Sequence, residues 1–209
     1  MKSKIPRQVF ILGMVSLFTD IASEMLYPIT PIFLTAVLGS SMAIVGVIEG
    51  IAEFISGILK GYFGNISDKV GKRSIFVVIG YSLSALAKPL PGIFQNIPTV
   101  LFSRVADRTG KGIRTAPRDA LLGSYANGNS GKIFGFHRGM DTLGAAIGPA
   151  AALVLLHFFP NDFQLIFLLA FVPSVVAVFF TFLVKDKPVE SKSRSRKNYA
   201  EFWKSAPAS

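Results

Sequence analysis

Residues 58–74 read Ile58-Leu-Lys-Gly-Tyr-Phe-Gly64-Asn-Ile-Ser-Asp68-Lys-Val-Gly71-Lys-Arg73-Ser74, between two long apolar stretches. The core, Gly64-x-x-x-Asp68-Lys69-x-Gly71-Lys72-Arg73, is short, basic and glycine-hinged. Glycine tolerates the backbone angles of a tight reversal, so Gly64 and Gly71 are expected to turn the chain at two helix ends. Asp68 is expected where the apolar segment gives way to the turn, within reach of Lys69, Lys72 and Arg73. Such an ionic latch at a membrane rim can bias a two-state equilibrium by a few kcal/mol.

The apolar flanks are typical of the chain. Of 209 residues, 51% are hydrophobic and 16% charged, with mean hydropathy +0.50. Soluble domains sit nearer about 25% charged, and one soluble core would leave large apolar patches exposed. Lipid is therefore the expected solvent. The net charge of +10 fits anionic lipid head groups and basic cytoplasmic loops, and no nucleic-acid partner is expected. With no cysteine and only His137 and His157, no disulfide, thiolate chemistry or metal site is expected. No nucleophile–base pair stands out at membrane depth, so the chain is expected not to be an enzyme.

Lys2, Lys4 and Arg7 before apolar residues 9–18 imitate a signal peptide. The apolar segment runs on to Leu38, too long for a signal core, and reads as an uncleaved first span. A helix needs roughly 20 apolar residues to cross the bilayer core. Six spans are predicted: 9–38, 42–63, 74–94, 98–121, 137–158 and 163–184. The fourth is the most charged, and is kept because only an even number of crossings fits the charge bias. The turns at 39–42, 95–98 and 160–164 contain no Lys or Arg, whereas the opposite side carries Lys69, Lys72, Arg73, Arg118, Lys132, Arg138 and the tail from Lys185. Both termini are thus expected in the cytoplasm, with the spans in the plasma membrane, the inner membrane in a bacterium. Residues 1–184 read as the bundle and 185–209 as a basic linker, either solvated or bound to lipid.

The 64–73 pattern resembles the signature loop between helices two and three of the major facilitator superfamily. The likeness runs from about Val9 to the linker and covers the amino-terminal half of the usual twelve-helix protein. It implies an all-α transmembrane bundle of six helices, built as two inverted three-helix repeats, that rocks against a carboxy-terminal six-helix partner. It also implies that Asp68 stabilises the outward-facing state through that partner. Gly135-x8-Gly144-x3-Gly148-Pro149 resembles the helix-five motif of the antiporter branch, but Ala152-Leu153 stands where a glycine pair is expected, so symport stays open. Family members commonly carry a proton-linked arginine ahead of glycines in helix four. Arg108 (before Gly112) and Arg104 (before Gly110) both fit. Gly110-Lys111-Gly112 is no phosphate loop, because Val105 replaces the upstream glycine and no Ser or Thr follows.

Spans one to three and four to six read as two triplets. The first span of each carries charge at depth: Asp20 and Glu24, then Arg104, Asp107 and Arg108. At about 100° per residue, Gly46, Gly50, Gly57, Gly61 and Gly64 share one face of the second span. That face is expected either to pack within the bundle or to slide on a second one. A charge at bilayer centre costs about 2.5–3.5 kcal/mol even on the mildest scale. Asp20 and Glu24 share a face with Ser16, Glu49 pairs with Glu53, and Arg104, Arg108, Lys111, Thr115 and Arg118 form a stripe with Asp107 at its edge. These acidic and basic faces are expected either to line a path for solute and protons or to form structural ion pairs. The path residues are Asp20, Glu24, Glu49, Glu53, Arg104, Asp107 and Arg108. Asp20 and Glu24 are the candidates for protonation, Arg104 and Arg108 for an anion clamp. His137 is expected near the start of helix five, on the face of Asp141 and Gly144, either packed at the interface or relaying protons.

The expectation is a secondary carrier of a small solute by alternating access, coupled to a proton gradient, without a bound cofactor. The alternative is a truncated half, ending at Ser209, that assembles with other membrane chains and transports nothing.

Overall fold

A computed structural model describes residues 5–187. Lys2, Lys4 and the linker beyond Lys187 lie outside the described residues. Among the described residues, eight α-helices and a π turn make six rods. The first is α1 (Arg7–Leu26), α2 (Ile29–Ile32) and the π turn Phe33–Val37, and the second is α3 (Met42–Val70). The third is α4 (Arg73–Ala87) with α5 (Leu90–Ile93). Then come α6 (Ile97–Ser124), α7 (Ser130–Phe158) and α8 (Phe163–Thr181).

Local chemistry explains the boundaries. Ser41, Asn96 and Asp162 accept the N–H groups of Ile44, Thr99 and Leu165 at the starts of α3, α6 and α8, satisfying donors that have no intrahelical partner. The first and third rods break at Tyr27-Pro28 and Lys88-Pro89, where proline removes a donor and crowds the preceding turn. α3 ends at Gly71, whose φ of 71° is left-handed and whose N–H bonds Ser67 O, a glycine cap.

Two expected boundaries shift. The second rod continues to Val70 rather than 63, so Gly64 lies inside α3 and turns nothing. Its place is a close approach, since a Cβ there would meet Ala116 Cβ at 3.0 Å. The fifth rod begins at Ser130, seven residues before 137, which puts Gly135 and His137 inside α7.

Among the described residues, five rods are long and apolar enough to cross a membrane. The exception is α6, with seven ionisable side chains in 28 residues. It survives because it is central, packing on both α3 and α4. α1 packs on α7 and α8, and α4 touches α8. Exchanging rods one to three with rods four to six maps this pattern onto itself, as two three-helix repeats require. Gly80 and Gly110 make the α4–α6 crossing tight, because a Cβ at either would strike the other's carbonyl oxygen.

Two apolar clusters occupy opposite ends of the bundle. One gathers Met25, Phe33, Val100, Ile166 and Phe167; the other Val9, Leu12, Val77, Leu121 and Val184. Between them, on every inner helix, lies a polar layer. Outward-facing Leu153, Phe179 and Phe182 are largely exposed, as lipid-facing side chains are.

Candidate functional site

The polar layer is organised by α6, whose two flanks do different work. On the α3 side Arg104 grips Glu49 with two parallel hydrogen bonds, Nε to Oε1 at 2.6 Å and an NH2 nitrogen to Oε2 at 2.5 Å. This planar fork is the strongest geometry for a carboxylate. One turn on, Arg108 Nε lies 3.3 Å from Glu53 Oε2, and its NH2 group lies 3.9 Å from Glu49. Four of the seven predicted path residues are thus engaged in direct α3–α6 pairs.

On the α4 side Asp107 accepts from Lys88 Nζ at 2.8 Å, with both side chains buried. Ser84 donates to the Asp107 carbonyl and accepts from Arg114 at 2.5 Å. Arg114 also lies 4.2 Å over the Tyr81 ring. Asp107 therefore turns away from the cationic stripe whose edge it was expected to mark. A residual void of about 10 Å³ touches Lys88, Asp107, Arg104 and Ser103, room for about one water.

The open space lies elsewhere. A cleft of about 670 Å³ separates α1 and α7 from α3 and α6. Asp20 and Glu24 face it from α1, Arg138 and Asp141 from α7. Lys60 of α3 and Lys111, Arg114, Arg118 and Asp119 of α6 complete it. Asp20 and Glu24 are the two predicted path residues that line the cleft. Lys60 went unassigned from sequence, while Arg118 stood on the predicted cationic stripe and Asp141 was not among the path residues. Lys60 lies seven residues, two helical turns, beyond Glu53, and that spacing was the available signal.

α7 holds its own cluster. Ser16 of α1 donates a hydrogen bond to Asp141; His137 Nδ1 lies 3.5 Å and Arg138 3.8 Å from the same carboxylate. His137 is buried and its Nε2 has no hydrogen-bond partner among the described residues, so it is not at a rim. Gly144 and Gly148 bring α7 onto α1, since a Cβ at either would reach Leu17 O at 2.6 Å or Ile21 O at 2.7 Å. Gly135 meets open space, and Pro149 lies within the helix.

At one end of the bundle Arg73 pairs with Asp68 at 2.7 Å, while Lys69 and Lys72 are exposed. Asp186, after the last helix, accepts the N–H groups of Arg73 and Ser74 and the Ser74 hydroxyl. Gln8 accepts from Lys185 N at 3.0 Å. The start of α1, the α3–α4 turn and the chain after α8 therefore meet at the same end.

The glycine face of α3 is uncovered. A Cβ at Gly46, Gly50, Gly57 or Gly61 would meet nothing within 4 Å. Packing within the bundle does not account for it among the described residues.

Comparison with known proteins adds an independent line. A family model described as Major Facilitator Superfamily matches residues 12–208. The chain is 40% identical over 192 residues to an uncharacterised MFS-type transporter of Methanocaldococcus jannaschii, covering 91% of this chain and 48% of that protein. It is 30% identical over 158 residues to an uncharacterised protein of Mycobacterium tuberculosis, covering 75% and 38%. A protein of Cupriavidus pinatubonensis named as a probable 4-methylmuconolactone transporter is 27% identical over 166 residues, covering 77% and 38%. The chain spans about half the length, or less, of these curated relatives.

Proposed function

The chain belongs to the major facilitator superfamily, and on that premise we propose that it forms one six-helix half of a proton-coupled carrier moving a small organic solute by alternating access. The observation that carries this reading is the charged cleft of about 670 Å³ in an otherwise apolar bundle. Nine ionisable side chains line it, and lipid-facing charge is excluded by its cost. Asp20 and Glu24 are the proton-binding candidates, because a carboxylate moved between wet and dry surroundings changes its proton affinity.

The partner is a second six-helix unit docked on the open glycine face of α3, where small residues permit close helix approach. The Asp68–Arg73 pair is the rim latch of that rocking motion. Residues beyond Asp186 are the linker to the second unit, with both ends in the cytoplasm and the spans in the plasma membrane. Exchange is the mode favoured by the α7 glycines. The relative named for a methylmuconolactone supports a small organic cargo.

The test is reconstitution of the protein from its complete reading frame into sealed vesicles. Solute flux should respond to an imposed pH gradient. Flux indifferent to the gradient removes the coupling, and no flux of any solute removes the carrier.

A further inference from the structure

The charges around the cleft are unequally satisfied. Arg118 is bonded to Asp119 at 2.9 Å, and Asp141 is held by Ser16, His137 and Arg138. Arg114 is held by Ser84 and lies over the Tyr81 ring. Four groups are left with no hydrogen bond or ion pair among the described residues: Asp20 and Glu24 on α1, and Lys60 on α3 with Lys111 on α6. The two signs stand on opposite walls of the cleft. α1 is packed on α7, while α3 and α6 are packed on each other.

The geometry points to a single site for a dipolar solute, which we propose carries an amine or quaternary ammonium toward Asp20 and Glu24 and a carboxylate toward Lys60 and Lys111. The inference rests on the carrier reading above and narrows its solute class. Asp20, Glu24 and Lys111 are half-buried and Lys60 is exposed; half-buried charges without partners are costly, and elsewhere in this bundle opposite charges are brought into direct contact, as in Glu49–Arg104. Here they are held apart by a space within the roughly 300–1,000 Å³ usual for small-molecule sites. A simple anion would satisfy the lysines and meet repulsion from two carboxylates in the same cleft. A simple cation would meet the converse. A dipolar molecule satisfies both walls with charge-assisted hydrogen bonds, and each wall rejects the singly charged analogue. The anion clamp expected at Arg104 and Arg108 thereby moves to Lys60 and Lys111.

The test uses the complete protein in detergent and a panel of α-amino acids and betaines at millimolar concentration. Each is compared with the carboxylic acid and the amine of the same skeleton, and binding is read by stabilisation against heat. At least one dipolar compound should bind about tenfold or more tighter than both analogues. Lys111→Gln and Glu24→Gln should each weaken that compound by about tenfold, Lys111→Arg should retain it, and ligand-free melting should not fall in any of the three. Binding of carboxylic acids equal to or better than that of their dipolar relatives overturns the inference and leaves the carrier standing. So does the absence of any dipolar ligand when another solute is transported. Absence of both binding and flux overturns the two together.

Discussion

Asp186 holds Ser74 across 112 residues of chain, its Oδ1 accepting the Ser74 N–H at 2.9 Å and its Oδ2 the hydroxyl at 2.6 Å. One carboxylate thus caps α4 from beyond the last helix, where it faces the positive end of the helix dipole.

Loss of this cap should be felt in stability. A lost N-cap costs typically about 1 kcal/mol, and in a chain of this size that lowers melting by about 2–4 °C. Asp186→Ala should show that drop in detergent, with Asp186→Asn falling between it and the parent. An unchanged melting curve for both would mean that the contact contributes nothing.

Burial should rank the ion pairs. Lys88–Asp107 is almost fully enclosed, whereas Asp68 of the Arg73 pair is about half exposed. Lys88→Met strands a buried carboxylate and should cost about 3–5 kcal/mol. Adding Asp107→Leu should recover most of it. Arg73→Met should cost no more than about 1 kcal/mol. Equal losses in the two single variants would contradict the burial argument.

Glycine substitutions should divide into two classes. Gly110→Ala forces a methyl into the Gly80 carbonyl and should cut folded yield. Gly57→Leu meets nothing within this unit, so it should fold normally and abolish flux by blocking the second unit. Normal flux with Gly57→Leu would remove that docking face.

Asp20→Asn should leave the bundle folded, because the carboxylate has no bonded partner to strand among the described residues. Vesicle flux through it should lose its response to an imposed pH gradient. A response equal to the parent's would take Asp20 off the proton path.

Six rods were legible from hydropathy and the spacing of the apolar segments, and the Gly71 reversal from its sequence alone. Helical period also put Glu49 with Glu53 and Arg104 with Arg108. It could not say how each helix is rotated against its neighbours, so direct pairing and an open path looked alike. Asp107 shows the cost: three residues after Arg104 it lies on the adjacent flank, and only the packing of α4 on α6 reveals Lys88 as its partner. Gly64 looked like a turn because glycine serves both reversals and close approaches. Asp186 had no local pattern at all, since its partners lie 112 and 113 residues away.

The two greasy plugs at either end of the bundle carry a last consequence. Each is dry apolar packing, and the void among the buried charges between them is only about 10 Å³. That void holds about one water, so the packed core of this unit is expected to act as an insulator. Expressed alone in a cell it should not short-circuit the membrane potential, and any traffic must pass along its flank.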